Sequence, residues 1–358
     1  MRFFNLIVIC LLLGICWGLI GCSASAGDYT IEKVIEIGPA DWVPFLWPIK
    51  WSPDGTKISY FSRGYLMISD TLGNTRQVKN VDMLPFRYEW VSDKEIAITF
   101  KGREKGGAIP YRLSLLDIEN GQETILEQFD RNGVGDDSIM VTNFEGPFKT
   151  LEGTVCYNIA KRRYEGSGDY RKATDQKSTL VPIISRTKTT SSQKSMSNDH
   201  FVRWGTTGLY YVNADASDSV RIARKPYQDM TGPLGINRDR TYILMGGTMQ
   251  RLADSTYIVL DTILKQHPPK TVQCGFEFGS FNPSDHEILF QIACDDDKSY
   301  EVNQIGTYNY LNNRFVILDS LIGITNGTAP VYAPNGRSIA FLANNKVYII
   351  IRGPNEIH

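Results

Sequence analysis

Catalysis by this chain would have to come from a short list of side chains. It has four histidines, His200, His267, His286 and His358, and no two of them share the spacing that a zinc site uses. A serine nucleophile on a sharp strand-to-helix turn needs Gly-x-Ser-x-Gly. The nearest strings, Gly166-Ser167-Gly168 and Gly279-Ser280, do not complete it. The stretch Asp130-Arg131-Asn132-Gly133-Val134-Gly135-Asp136-Asp137 has the acidic density of a calcium loop. Val134 and Val141, however, stand where its fifth and twelfth ligands belong. Asp295-Asp296-Asp297 reads as a solvated turn, and no glycine-rich loop ends in Lys-Ser or Lys-Thr to cradle a phosphate. These residues predict no catalytic set, no cofactor and no metal, and the chain is read as not an enzyme.

Cysteine chemistry is the exception. Of six cysteines, Cys10 and Cys16 lie in an N-terminal apolar run, and Cys22, Cys156, Cys274 and Cys294 follow. Cys274 and Cys294 lie about equally far from the turn at Asn282 to His286. They are therefore the candidate disulfide across one hairpin. A slip of one residue in register would instead put them on opposite faces, and Cys156 would remain a buried thiol.

Composition sets outer limits. Among 358 residues, 42% are hydrophobic and 22% charged, enough for a packed core. The net charge of −1 and pI near 6.5 argue against a nucleic-acid-binding protein, which would normally be basic. The 18 tyrosines and 16 phenylalanines suit pleated, half-buried surfaces.

The first 22 residues read as a targeting segment. Arg2 supplies a positive start, and Leu6 to Ile20 is apolar apart from Gly14 and Gly18. Such a run rises only about 22 Å as a helix, short of the roughly 30 Å hydrocarbon core, so a cleaved signal is expected. The run ends Leu19-Ile20-Gly21-Cys22. Small Gly21 gives a peptidase access to the backbone, and the Cys22 thiol is a nucleophile for acylation. This ending resembles the lipobox of bacterial lipoproteins. The resemblance implies a signal peptide at 1–21, a lipidated Cys22 as first mature residue, and a flexible tether over 22–28. One acyl chain holds a membrane only marginally, whereas the several implied here anchor firmly. Ser23, rather than Asp, after the cysteine resembles lipoproteins delivered to the outer membrane.

The mature chain carries an internal repeat. Its clearest copy runs Pro48-Ile49-Lys50-Trp51, Ser52-Pro53-Asp54-Gly55, Lys57-Ile58-Ser59-Tyr60-Phe61, then Tyr65 to Asp70. Apolar runs of five or six residues suit strands rather than helices. Pro53 presets φ, Asp54 bonds its own backbone and Gly55 accepts positive φ, which together make a turn. The last copy pairs Tyr332-Ala333-Pro334-Asn335-Gly336 with strands from Ser338 and Lys346. Degraded copies fall at Trp90, Trp204, Ile236 and Phe281, with the least regular at Phe148. The pattern resembles the WD40-like (PD40) repeat of the TolB type. It implies an all-β propeller of four-stranded blades over 29–358. Seven anchors at about 48 residues each, near the roughly 40–45 of a propeller blade, predict seven blades. Six blades with one large insertion is the alternative.

The last repeat lacks a strand. Thr30 to Ile37, with no blade of its own, is expected to pair with residues 346–351 and latch the ring, since an open sheet edge is a liability. Residues 161–194 hold nine Lys or Arg against three Asp or Glu. The stretch 161–197 is expected to be a long, mobile, basic loop. TolB-like propellers often precede a serine-hydrolase domain, and none is expected here because the repeat runs to the end of the chain. The reading is a lipid-anchored cell-envelope lipoprotein, on the periplasmic face or the surface of the outer membrane. It would bind the membrane through Cys22, have an envelope protein or glycan as partner, and bind no nucleic acid. The alternative is a polysaccharide lyase or hydrolase working at the propeller mouth.

Overall fold

The computed structural model describes residues 30–41, 49–80, 84–106, 108–131, 139–149, 154–165, 172–183, 200–205, 208–213, 219–224, 234–245, 247–254, 256–260, 262–263, 273–295 and 301–353. Short strands dominate. After β1 (Ile31–Pro39), one sheet is built from β2 (Ile49–Trp51), β3 (Lys57–Ser62), β4 (Tyr65–Asp70) and β5 (Thr75–Asn80). Next come β6 (Leu84–Ser92), β7 (Glu95–Lys101), β8 (Ile109–Asp117), β9 (Glu123–Arg131), β10 (Ile139–Lys149), β11 (Val155–Glu165) and β12 (Lys172–Pro182). β13 (His200–Gly205), β14 (Gly208–Asn213) and β15 (Ser219–Arg224) form a three-stranded sheet. β16 (Leu234–Ile236), β17 (Tyr242–Met245), β18 (Thr248–Arg251) and β19 (Tyr257–Val259) form the next. β20 (Gln273–Phe281), β21 (Glu287–Asp295), β22 (Glu301–Asn309) and β23 (Arg314–Ile317) follow, then the short helix α1 (Leu318–Ile322). The chain closes with β24 (Thr328–Tyr332), β25 (Ser338–Ala343) and β26 (Lys346–Arg352).

The architecture is an all-β, WD40-like propeller, and the described residues form six sheets, the alternative count rather than the seven blades expected first. The difference has a local cause. The repeat units at Trp90 and Phe148 share one seven-stranded sheet, β12-β11-β10-β9-β8-β7-β6. A bridge from Val141 to Arg131 joins β10 to β9 within it. An anchor residue marks a repeat unit but not whether that unit's outer strand hydrogen-bonds to the next.

Strand pleating decides how the sheets stack. In β25, Ile339, Phe341 and Ala343 enter one buried cluster with Leu289 and Ile305 of the preceding sheet. Ala340 and Leu342, on the other face, enter a second cluster with Ile49, Trp51, Ile58 and Tyr60 of the β2–β5 sheet. The period of two thus gives each face to a different neighbour. Phe61, Leu66 and Ile68 continue the stacking onto Tyr88, Trp90, Ile96 and Ile98. Tyr111, Leu113 and Leu115 continue it onto Phe144, Tyr157 and Ile159. First strands touch from one repeat unit to another: β24 with β2, β2 with β6, β6 with β10, β16 with β20, and β20 with β24. They line the axis.

The Ser-Pro-Asp-Gly turn and its degraded copies meet at one rim. Asp54 accepts its own turn's Thr56 N–H at 3.0 Å, while its backbone N–H reaches Asp93 of the next sheet at 2.8 Å. The Asn282 amide donates to the Gly336 carbonyl at 3.1 Å. Gly336 has φ of 69°. A Cβ there would come within 2.0 Å of Ser284 Oγ, so both the turn and the inter-sheet approach require glycine.

Closure uses the N-terminal segment. β1 pairs antiparallel with β26, from Ile31 opposite Arg352 to Pro39 opposite Lys346. The closing sheet is therefore β1-β26-β25-β24. Arg352, beside the start of β1, makes a 2.5 Å ion pair with Glu287 of β21, and both side chains are about 6% exposed. The Tyr332 hydroxyl donates to the same carboxylate. A buried pair with an added donor is the arrangement in which low-dielectric charge is compensated.

The basic stretch differs from its sequence reading. Where a mobile loop was expected from residue 161, the chain forms an antiparallel ribbon, Cys156 opposite Pro182 through Glu165 opposite Lys172. Alternation of polar with β-branched or small residues supports strands as well as a loop, and polarity alone does not separate the two. Residues 166–171 and 184–199 lie outside the described residues.

Deleting residues 29–37 should lower the melting temperature by about 10 °C or more, since it strips the paired edge from β26 and uncovers the core around Ile35. A melting curve that does not move would show that β1 is no latch.

Candidate functional site

Three charged residues gather where the axial strands run toward the turn rim. Lys50 lies in β2, Glu89 in β6 and Lys149 at the end of β10. Lys50 Nζ stands 2.5 Å from Glu89 Oε2, and Lys149 Nζ 3.9 Å from Glu89 Oε1. Side-chain exposure is 20% for Lys50, 13% for Glu89 and 36% for Lys149. Of the two amines, Lys149 therefore keeps the more solvent.

The scaffold under this triad is aromatic. Trp90 Nε1 donates to Ser59 Oγ at 2.9 Å and approaches the Lys50 carbonyl at 3.3 Å. Tyr88 donates its hydroxyl to the Ser59 carbonyl at 3.1 Å. The Lys50 ammonium lies 5.5 Å from the centre of the Tyr88 ring, within cation–π range. Because Tyr88 and Trp90 alternate with Glu89 along one strand, their packing fixes where the carboxylate projects.

Burial pushes the Glu89 carboxyl upward, but Lys50, Lys149 and the Trp90 N–H together outweigh it and hold the group below the usual carboxylate range. Glu89 is thus an anion at neutral pH, an acceptor and counter-charge rather than a general acid. Two ammonium groups around one carboxylate leave the triad with a net positive charge, suited to an anionic group on a ligand. Burial also raises Tyr88 strongly, so its phenol stays a hydrogen-bond donor.

Two further clusters lie apart from the axis. At the turn rim, His286 Nδ1 is 3.2 Å from the Tyr310 hydroxyl, and the Asn237 amide reaches the same oxygen at 3.4 Å. Tyr310 is raised by burial, which keeps its proton in place. In α1, Asp319 accepts the N–H groups of Ile305 at 2.9 Å and Gly327 at 3.1 Å. Burial outweighs those bonds and pushes its carboxyl up to about 6. Each cluster ties neighbouring elements together.

Most residues singled out from the sequence stay apart. Cys22, His267 and His358 lie outside the described residues, as does 132–138 of the calcium-like stretch. His200 opens β13, Asp295 ends β21, and Ser280 lies within β20. Among the described residues no three His, Cys, Asp or Glu side chains gather as metal ligands. Cys156 is a buried thiol. Cys274 and Cys294 stand directly opposite each other in the β20–β21 register. The Lys50–Glu89–Lys149 triad was missed, although a signal existed. Each charge sits one residue from a repeat anchor, namely Trp51, Trp90 and Phe148.

No family model matches the chain, and no curated protein does. Solved structures match its fold at low identity. The WD40 domain of SCAP from fission yeast gives a TM-score of 0.36 at 11% identity, over 85% of this chain and 83% of that one. A gluconolactonase from Xanthomonas campestris gives 0.40 at 7% identity, over 92% and 93%. A putative 6-phosphogluconolactonase from Bacteroides fragilis gives 0.39 at 12%, over 90% of each chain. These likenesses bear on the fold alone. They do correct one expectation, that the chain is not an enzyme. Propellers of this kind include enzymes, and a missing nucleophile elbow excludes one catalytic design rather than catalysis.

Replacing Glu89 by Gln should cost about 2 kcal/mol, because Lys50 is left mostly buried without its counter-charge. In a double-mutant cycle with Lys50→Met, denaturant titrations should return a coupling of about 1 kcal/mol or more. Strict additivity would mean that the pair contributes nothing.

Proposed function

We propose that this chain is a bacterial cell-envelope lipoprotein, acylated on Cys22 and held on the outer membrane, whose TolB-like propeller binds a protein or glycan partner. One observation carries the reading. Leu19-Ile20-Gly21-Cys22 is followed, after only eight residues, by Ile31 of the strand that closes the ring. An acylated cysteine there would hold the propeller by its own closing strand, so the anchor and the fold share one short segment. A rigid ring on such a tether suits recognition by its connecting loops. The net positive charge around Glu89 supports a partner with anionic groups.

Export would also govern the cysteines. Antiparallel pairs alternate between hydrogen-bonded and closer, non-hydrogen-bonded positions. Asn282 N–H bonds to the Glu287 carbonyl at 2.7 Å, which points residues 287, 289, 291 and 293 of β21 toward β20. Cys294 is out of phase with these, so Cys274 and Cys294 form a close pair, a backbone spacing that a cross-strand disulfide can span. In an oxidising compartment such a bond persists.

Cells fed labelled fatty acid should label the wild-type chain and keep it in the membrane fraction. Cys22→Ser should abolish the label and release the protein, and a labelled or membrane-bound Cys22→Ser would sink the anchor. Denatured, unreduced protein from the envelope should show one reactive thiol, from Cys156. Three would exclude the disulfide.

A further inference from the structure

Among the described residues β10, β11 and β12 are the longest strands, at 11 residues each. At about 3.4 Å per residue they extend about 37 Å, against about 20 Å for the six-residue strands of the next sheet. Their extra length lies at one end, and strand direction identifies which. Thr30, at the start of β1, bonds Gly353 at 2.9 Å, and Glu32 pairs with Arg337 of a Pro-x-Gly turn at 3.7 Å. The tether from Cys22 therefore enters at the turn rim. β6 and β10 both run toward that rim, as the Lys149–Glu89 contact and the 3.0 Å bond from Thr99 to the Gly146 carbonyl show. The beginning of β10 and the β11–β12 ends paired with it, Ile139 opposite Arg163 and Val141 opposite Lys161, thus lie at the far rim.

Charge concentrates at that far end. Residues 161–165 and 172–177 contain five Lys or Arg against two Asp or Glu, in a chain whose net charge is −1. In the register Arg163 stands opposite Asp175 and Glu165 opposite Lys172, whereas Lys161 stands directly opposite Lys177. Like charges in that position destabilise a sheet unless something neutralises them. The connection between β7 and β8 belongs to the same seven-stranded sheet and lies at the same rim. It adds Arg103 and Lys105, both exposed, against Glu104.

We propose that this basic end of the seven-stranded sheet docks a polyanionic glycan on the side of the propeller turned away from the anchoring membrane. The inference rests on the envelope-lipoprotein reading and deepens its choice of partner. Nine residues from Cys22 to Thr30 reach at most about 30 Å, so an anchored propeller keeps its turn rim toward the lipid and its basic rim outward. A glycan fits better than an acidic protein. Protein interfaces are built on desolvated apolar anchors, and between 161–165 and 172–177 the only aromatic is Tyr164. Cations repeated along a ribbon match a polymer with one carboxylate or phosphate per unit, and polar Gln176, Ser178 and Thr179 stand along the same strand.

The detergent-solubilised full-length chain should be run on resin bearing polygalacturonate and, in parallel, resin bearing poly-glutamate, with a sodium chloride gradient. Retention should be stronger on the glycan. The combined variant K161E/R163E/K172E/K177E should bind polygalacturonate at least about tenfold more weakly, and R103E/K105E about threefold more weakly. Both should keep the wild-type circular dichroism spectrum. R103E/K105E leaves the ribbon untouched, so it remains informative if the fourfold variant folds poorly. No retention of wild type on polygalacturonate would overturn the proposal, as would equal or stronger binding to poly-glutamate, which would indicate an acidic protein. Undiminished binding by R103E/K105E would overturn it too. Retention that survives both variants would leave a glycan-binding propeller standing and remove only this surface, while the anchor is judged separately by Cys22 acylation.

Discussion

β25 is apolar on both faces, and a strand of that kind cannot be stable in a sheet that stands alone. Ile339 and Phe341 need one neighbouring sheet, Ala340 and Leu342 another. Burying a large side chain contributes about 1.5–3 kcal/mol, so a sheet without one neighbour loses several such terms at once. Two-faced burial therefore forces the sheets into a closed succession, and the last sheet must find the first. In this chain the closing sheet meets both Ile58 of the β2–β5 sheet and Leu289 of the β20–β23 sheet. The pairing of β1 with β26 completes it from the far end of the sequence.

Closure then dictates how polar groups are arranged. At the junctions where sheets meet, the turns carry short side chains that bond across: Asp93 to the Asp54 backbone, and Asn282 to Gly336. Charge that cannot reach water is compensated on the spot, as Glu287 is by Arg352 and Tyr332. The axial triad follows the same rule but stops short of full burial. Lys149 is the most exposed member, and it is the farther from Glu89 of the two amines. A structural pair and a residual positive charge thus coexist in one place. That combination distinguishes the axis from the buried pair at the closing sheet.

The fold was largely legible because its signals are local. Pro53-Asp54-Gly55 and Pro334-Asn335-Gly336 fix turns within four residues of chain, and apolar runs of five or six residues fix strands. The latch could be foreseen from a missing strand and a spare one. Sheet number was not legible in the same way. Whether β9 bridges to β10 depends on a contact between Arg131 and Val141 that no local pattern encodes. The basic stretch failed for a related reason. Lys and Arg are compatible with a solvated loop and with an exposed ribbon, and only pairing with β10 selects the ribbon.

The axial site was hidden by the same property that makes propellers recur. Each of its charges comes from a different repeat unit, β2, β6 and β10, so the three lie 39 and 60 positions apart in the chain and meet only at the axis. A scan for motifs with fixed short spacing cannot find such a set. Aligning the repeats on their aromatic anchors can, because the anchors hold the same radial position and their immediate neighbours must then lie near the axis. Lys50 and Glu89 each precede a tryptophan, and Lys149 follows Phe148. Among repeats whose surrounding strands are apolar, a charge beside the anchor is costly to place in the core, so its presence on several first strands marks the axis as a polar region.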